Sequence, residues 1–204
     1  ILDPLCFMLI YVFMFGYVFK SDEQYFAIFV FIGITMWDFF NRCLLQSVRV
    51  IKSNKPIVSK VYIPKFILVI IRMCINGFKM FISFLIVAVM LIVWRVPITW
   101  NILYCIPILL TLFMLVFGFG CFLLHYGVFV EDLGNVLNIA LRLIFYLTGV
   151  FWNIMDRLPA PYNAYIGKGN PIAFLLTSMR ECLIYGQTPH RKLLLAWFLI
   201  GLVI

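Results

Sequence analysis

The chain has 204 residues and a net charge of +8; 65% of its residues are hydrophobic and only 12% are charged. A soluble domain carries about 25% charged residues. Half that content, with a mean hydropathy of +1.10, excludes an ordinary soluble fold and implies an integral membrane protein. The chain begins at Ile1 and stops within the apolar run "LLLAWFLIGLVI". It therefore reads as one transmembrane domain, residues 1–204, that is a portion of a longer protein.

Apolar segments fall at about 4–19, 25–46, 66–94, 98–128, 134–155 and 193–204. A span takes about 20 residues, and the runs are continuous rather than alternating, so helices are expected and not a barrel. The fold class is all-α: six transmembrane helices, with a helical excursion before the last.

The first segment is dense in aromatics, with Tyr11, Phe13, Phe15 and Tyr17. The second carries Asp38 near its expected cytoplasmic end, read as a structural partner for a basic residue. Between 42 and 65 lie six Lys or Arg and no acid. Short basic loops stay cytoplasmic, which places 47–62 and 129–134 inside and 20–24, 94–98 and 156–192 outside. Pro56 suits a first helical turn, with Asn54 or Lys55 capping it, and Pro64 suits the start of the next span. "KPIVSKVY" then reads as a short helix on the cytoplasmic face, or as a solvated loop that only sets topology.

In the third segment Arg72, Asn76, Lys79 and Ser83 are spaced 4, 3 and 4 apart and share a helix face. Lys79 lies 15 residues past Pro64, roughly 22 Å at 1.5 Å per residue, which sets it within the membrane. Two readings stay open. These residues form a polar lining for an anionic ligand, or Lys79 snorkels or pairs with Asp38. His125 closes the fourth segment as an interfacial residue. Glu131 and Asp132 precede the fifth, where acids complement a helix dipole. Phe145, Tyr146, Phe151 and Trp152 follow, either as an interfacial belt or as the wall of a conduit on which sugars stack.

Residues 156–170 are rich in Pro, Gly and Asn and read as a loop. "PIAFLLTSMRECLIYG" is apolar but only 16 residues long, and Arg180 and Glu181 interrupt it. A re-entrant or interfacial helix fits it better than a span. The six cysteines show no CxxC or Cys/His cluster, so neither a disulfide framework nor a metal site is expected. The sequence lacks GxxxxGK[ST], HExxH and GxSxG. No ATP-binding motif and no catalytic residue is assigned.

Several stretches in order resemble the membrane subunits of ABC exporters for teichoic acids and O-antigen polysaccharides. They are "LDPLCFMLIYVFMF", "GITMWDFF", "SNKPIVSKVYIPK", "YGVFVEDLGNVLNIALRLIFYLTGVFW" and "GNPIAFLLTSMRECLIYG". One departure is Glu131–Asp132, where the family usually has Arg-Asp. The interfacial helix that usually opens the family's chains has no counterpart here.

The resemblance implies a homodimeric permease in a bacterial cytoplasmic membrane, bound to two copies of an ATPase subunit and exporting a lipid-linked polymer. ATP and Mg would belong to that partner, with no cofactor in this chain and no nucleic acid among its ligands. It further implies that Asn54, Lys55, Pro56, Ile57, Val58 and Lys60 couple to the ATPase. An outer gate around Asn170, Pro171, Arg180 and Tyr185 is implied as well, with a re-entrant hairpin. The first and fifth segments would line the path. Its candidate residues are Tyr11, Phe15, Phe145 and Tyr146, joined by Arg72 and Lys79 from the third. Cations at 156–192 would meet the emerging polymer and favour a phosphate-rich one. Other readings are a drug or lipid permease of the same architecture, a membrane-embedded transferase acting on lipid-linked glycans, and a structural scaffold.

Overall fold

The computed structural model describes residues 25–54, 64–97, 99–130, 132–152 and 167–204, with Cys6, Ile10 and Phe13. The described residues form helices α1 (Phe26–Ser53), α2 (Lys65–Val93), α3 (Cys105–Phe129), α4 (Leu133–Leu147), α5 (Pro171–Leu183) and α6 (Arg191–Val203). A 3-10 turn, Trp100–Tyr104, leads into α3. Among the described residues, three stretches are long and apolar enough to cross a membrane: Phe26–Ile51, Lys65–Val93 and Trp100–Gly127.

Helix α1 is the centre of the fold. Every residue from Ile28 to Trp37 is buried, as expected of a helix apolar on all sides and surrounded by others. Helix α2 buries one stripe instead: Met73, Asn76, Met80, Ser83, Val87 and Met90. The alternating spacing of three and four gives one seam along a helix, while Ile75, Phe78, Phe81 and Leu85 face outward. Within the seam Asn76 donates through Nδ2 to Gln46 Oε1 at 2.9 Å, tying α2 to α1.

Helix α3 packs closely where it lacks side chains. A Cβ on Gly127 would stand 2.7 Å from the Val48 carbonyl oxygen, and one on Gly201 would stand 3.0 Å from the Leu115 backbone nitrogen. Gly118 lies opposite Gly201 in the same α3–α6 crossing. Small residues that let backbones approach are a common means of joining helices in a membrane, where lipid supplies no hydrophobic drive.

Within the expected 134–155 segment, helix α4 ends at Leu147. Thr148 folds its hydroxyl back to the Ile144 carbonyl at 2.6 Å, and Gly149 takes a φ of 66°, the left-handed conformation that ends helices. Helix α4 is therefore about 22 Å long at 1.5 Å per residue, shorter than the roughly 30 Å hydrocarbon core.

The loops sort into two ends. The end of α1, the start of α2 and the end of α3 meet where Gly120 approaches Ser47 and Val69, and Arg49 lies over Gly134 at the start of α4. At the opposite end Asn101 Nδ2 donates to the Gly186 carbonyl at 2.6 Å, and Arg191 lies 5.2 Å from the Tyr104 ring centroid. This grouping of 47–54 with 132–134, and of 94–97 with 167–192, is the one that alternating spans require.

Candidate functional site

A cleft of about 510 Å3 opens between α1 and α4. Helix α1 contributes Ile34, Trp37, Asp38 and Asn41, and α4 contributes Asn138, Leu141, Arg142 and Phe145. Both sets follow the same i, i+3, i+4, i+7 spacing, so each is one face of its helix. Tyr146 and Phe151 complete the wall.

The wall has two characters. Trp37 packs on Phe145 with ring centroids 5.3 Å apart, and Phe145 meets Tyr146 at 5.6 Å and Phe151 at 5.2 Å. Beside this aromatic surface stand Asp38, Asn41, Asn138 and Arg142. Arg42 Nε donates to Asp38 Oδ1 at 2.6 Å, one turn along α1, a favourable placement for an ion pair on a helix. Asp38 is thus paired within its own helix, as a structural partner of a basic residue. Arg142 is exposed and has no ion pair or hydrogen bond among the described residues. Apolar rings joined to a few convergent polar groups are the usual make-up of a small-molecule site.

A second constellation fastens α5 at the end of the molecule beyond the cleft. Arg180 is buried, 3% exposed. Its Nε donates to the Phe29 carbonyl at 3.2 Å, Nη1 to Gly149 at 3.0 Å and Nη2 to Val150 at 2.7 Å. The guanidinium also lies 3.5 Å from the Phe29 ring centroid, a cation–π contact. One side chain thereby joins α5 to the start of α1 and to the turn after α4. Asn170 is the N-cap of α5, with Pro171 in its first turn. The Tyr185 amide donates to the Arg180 carbonyl at 3.4 Å, where the chain leaves α5.

The structure brings Phe145 and Tyr146 together in one cleft, and Asn170, Pro171, Arg180 and Tyr185 on one helix and its exit. Arg72 is half-buried and Lys79 exposed on α2, which does not border the cleft. Of the four polar residues aligned along α2, Asn76 and Ser83 fall in its buried seam while Lys79 stands outside it. Asn54 closes α1, its Nδ2 donating to the Val50 carbonyl at 2.7 Å. Lys55, Pro56, Ile57, Val58 and Lys60 lie outside the described residues, as do Tyr11 and Phe15. Sequence reasoning passed over Trp37, Asn41, Asn138 and Arg142. The signal was available in the shared helical spacing of Asn138, Arg142 and Phe145, with an arginine interrupting an apolar run.

Residues 1–184 match the family described as ABC-2 type transporter. The O-antigen export system permease protein RfbA of Klebsiella pneumoniae is 22% identical over 198 residues, which is 96% of this chain and 75% of that protein. A second Klebsiella pneumoniae RfbA is 24% identical over 188 residues, 91% of this chain and 71% of that protein. RfbA of Myxococcus xanthus is 21% identical over 203 residues, 100% of this chain and 78% of that protein. With a match of that extent to one family, the chain belongs to the ABC-2 type transporters.

Proposed function

We propose that this chain is the permease subunit of an ABC exporter that carries a lipid-linked cell-surface polysaccharide, of the O-antigen or teichoic acid kind, across the cytoplasmic membrane of a bacterium. The observation that carries this reading is the α1–α4 cleft, with an aromatic wall of Trp37, Phe145 and Tyr146 against Asp38, Asn41 and Asn138. Sugar rings present C–H faces that stack on aromatics and hydroxyls that bond to side-chain amides and carboxylates. Such contacts suit a polymer in transit, since a conduit must bind well enough to admit its cargo and weakly enough to release it. The names of the relatives over nearly the whole chain support the same cargo class.

In this reading the chain is not itself an enzyme. It works as a dimer of two copies with two ATPase subunits, which bind the ATP and Mg. Residues 54–60 form the coupling segment that docks on the ATPase. The segment at 4–19 supplies the first of six spans, α4 and the turn after it belong to the fifth, and α5 is a re-entrant helix that gates the outer end. Membrane lipids surround the outward apolar faces of α2 and α3.

The test is copurification of the full-length protein with candidate ATPases, comparing wild type with a Lys55→Glu, Lys60→Glu double variant. ATP-dependent accumulation of polysaccharide in inverted membrane vesicles is measured in parallel. Association and transport are expected for the wild type, with both lost in the variant. Glycan product formed without any ATPase would point to a transferase and remove the proposal.

A further inference from the structure

The α1–α4 cleft holds one cation whose counter-charge the described residues do not supply. Arg142 is the tenth residue of α4, about 14 Å from its start at 1.5 Å per residue. An arginine within a membrane helix is costly to insert, and such residues mark ligand or ion pathways unless something pairs with them. Among the described residues Asp38 is the acid lining the same cleft, and Arg42 engages it at 2.6 Å. Arg142 itself makes no ion pair or hydrogen bond among the described residues, and its side chain is exposed to the cleft.

Among the described residues Arg42 offsets the charge of Asp38 and none offsets that of Arg142. A neutral sugar needs the rings and the amides but not this cation. Guanidinium is always charged and presents paired N–H donors that match a carboxylate or phosphate. Trp37, Phe145 and Tyr146 offer the stacking surface on the same wall, so ring and anion are read side by side.

We propose that the cleft is a station for an anionic sugar unit, carrying a carboxylate or phosphate, and that Arg142 is the residue that pairs with that charge. This rests on the polysaccharide reading above and narrows its substrate class. Arg142 thereby becomes a specificity residue for acidic over neutral repeat units.

The test uses the full-length permease with its ATPase in nanodiscs, and two soluble probes of equal length, tetragalacturonate and neutral galactotetraose. Binding is measured by calorimetry in zwitterionic lipid for wild type, Arg142→Gln, Arg142→Lys and the distant control Lys65→Gln, with melting curves to show that all are folded. Wild type should bind the acidic tetramer about tenfold more tightly, the scale of one charge-assisted hydrogen bond. Arg142→Gln should reduce the preference to less than about twofold, while Arg142→Lys keeps part of it and Lys65→Gln all of it. Equal binding of the two probes overturns the proposal and leaves the polysaccharide reading standing, and so does a preference that survives in Arg142→Gln. Binding of neither probe takes both down. Loss of the preference when anionic phospholipid replaces zwitterionic lipid assigns Arg142 to a headgroup and also overturns it.

Discussion

Asn170 donates through Nδ2 to the Thr148 hydroxyl at 3.2 Å, while its own Oδ1 accepts from the Ile172 and Ala173 amides at 3.1 and 3.4 Å. One side chain thus starts α5 and ties it to the end of α4. Asn170→Ala should cost about 1–2 kcal/mol, from the lost cap and the lost hydrogen bond. Thr148→Val should cost about 1 kcal/mol. In a double-mutant cycle read by denaturation in detergent, the two losses should fall short of additive, because both remove the same bond.

Among the described residues Arg180 serves three carbonyls with one guanidinium. Arg180→Met would leave the Gly149 and Val150 carbonyls without that donor in a buried site, at about 1–3 kcal/mol for each, while the Phe29 carbonyl keeps its place in the helical ladder of α1. The expected outcome is a drop in melting temperature of several degrees or failure to accumulate. Gly33→Ala tests the same contact from the other side, since the added carbon would meet Arg180 Nη2 and stand 2.9 Å from the Val150 carbonyl oxygen. It should destabilise by about 1–3 kcal/mol. Gly169→Ala, with nothing within 4 Å, should leave the melting temperature unchanged.

The α3–α6 crossing depends on backbone meeting backbone. A Cβ on Gly201 would lie 3.0 Å from the Leu115 nitrogen and 3.2 Å from the Met114 carbonyl carbon, and neither can rotate away. Gly201→Leu should separate the helices and cost about 1–3 kcal/mol, seen as lower thermal stability and faster proteolysis at α6.

Phe145 and Tyr146 are adjacent but differ in environment. Phe145 packs among Trp37, Tyr146 and Phe151, whereas Tyr146 is 70% exposed. Phe145→Ala should lower both stability, by about 3 kcal/mol, and export. Tyr146→Ala should leave stability within about 0.5 kcal/mol while slowing export in vesicles. A Tyr146→Ala protein that exports at the wild-type rate would remove Tyr146 from the path.

Lys168, Arg191 and Lys192 stand at the end beyond the cleft, and the same 156–192 stretch carries Arg157, which lies outside the described residues. Replacing all four with Gln should weaken export of an anionic polymer, and more so at low salt, since exposed charges act over about 10 Å at 0.1 M ionic strength. Export unchanged at every ionic strength would leave these cations without a part in transport.

Much of the helical order was legible from hydropathy. The segments at 25–46, 66–94 and 98–128 coincide with α1, α2 and α3 to within a few residues, except that α1 continues to Ser53 and α3 begins at Cys105, after the 3-10 turn Trp100–Tyr104. Hydropathy sees the apolar core but not a helix that continues into polar surroundings, so Arg49 and Ser53 read as loop. The early end of α4 was hidden for the opposite reason. Thr148 and Gly149 sit in an apolar run, and only their hydrogen bonding and dihedral angle mark the break. Of the cleft, the aromatic half was legible in Phe145 and Tyr146. The polar half was not, because it is divided between two helices about a hundred residues apart, and no pattern local to either shows that they face each other.

Helix α1 has a consequence for how force moves through the molecule. It runs for 28 residues, about 42 Å at 1.5 Å per residue, without a proline. Phe29 near its first turn supplies a carbonyl to Arg180, Asp38 and Asn41 stand in the cleft, and Asn54 closes it where the expected coupling segment begins. No proline interrupts it between these points, so α1 is one continuous helix from the anchor through the cleft to Asn54. On the transport role proposed above, a displacement delivered at Asn54 would reach the cleft and the anchor of α5 in the same stroke, so that opening of the outer end and loosening of the grip on the cargo would be one motion rather than two signals in sequence.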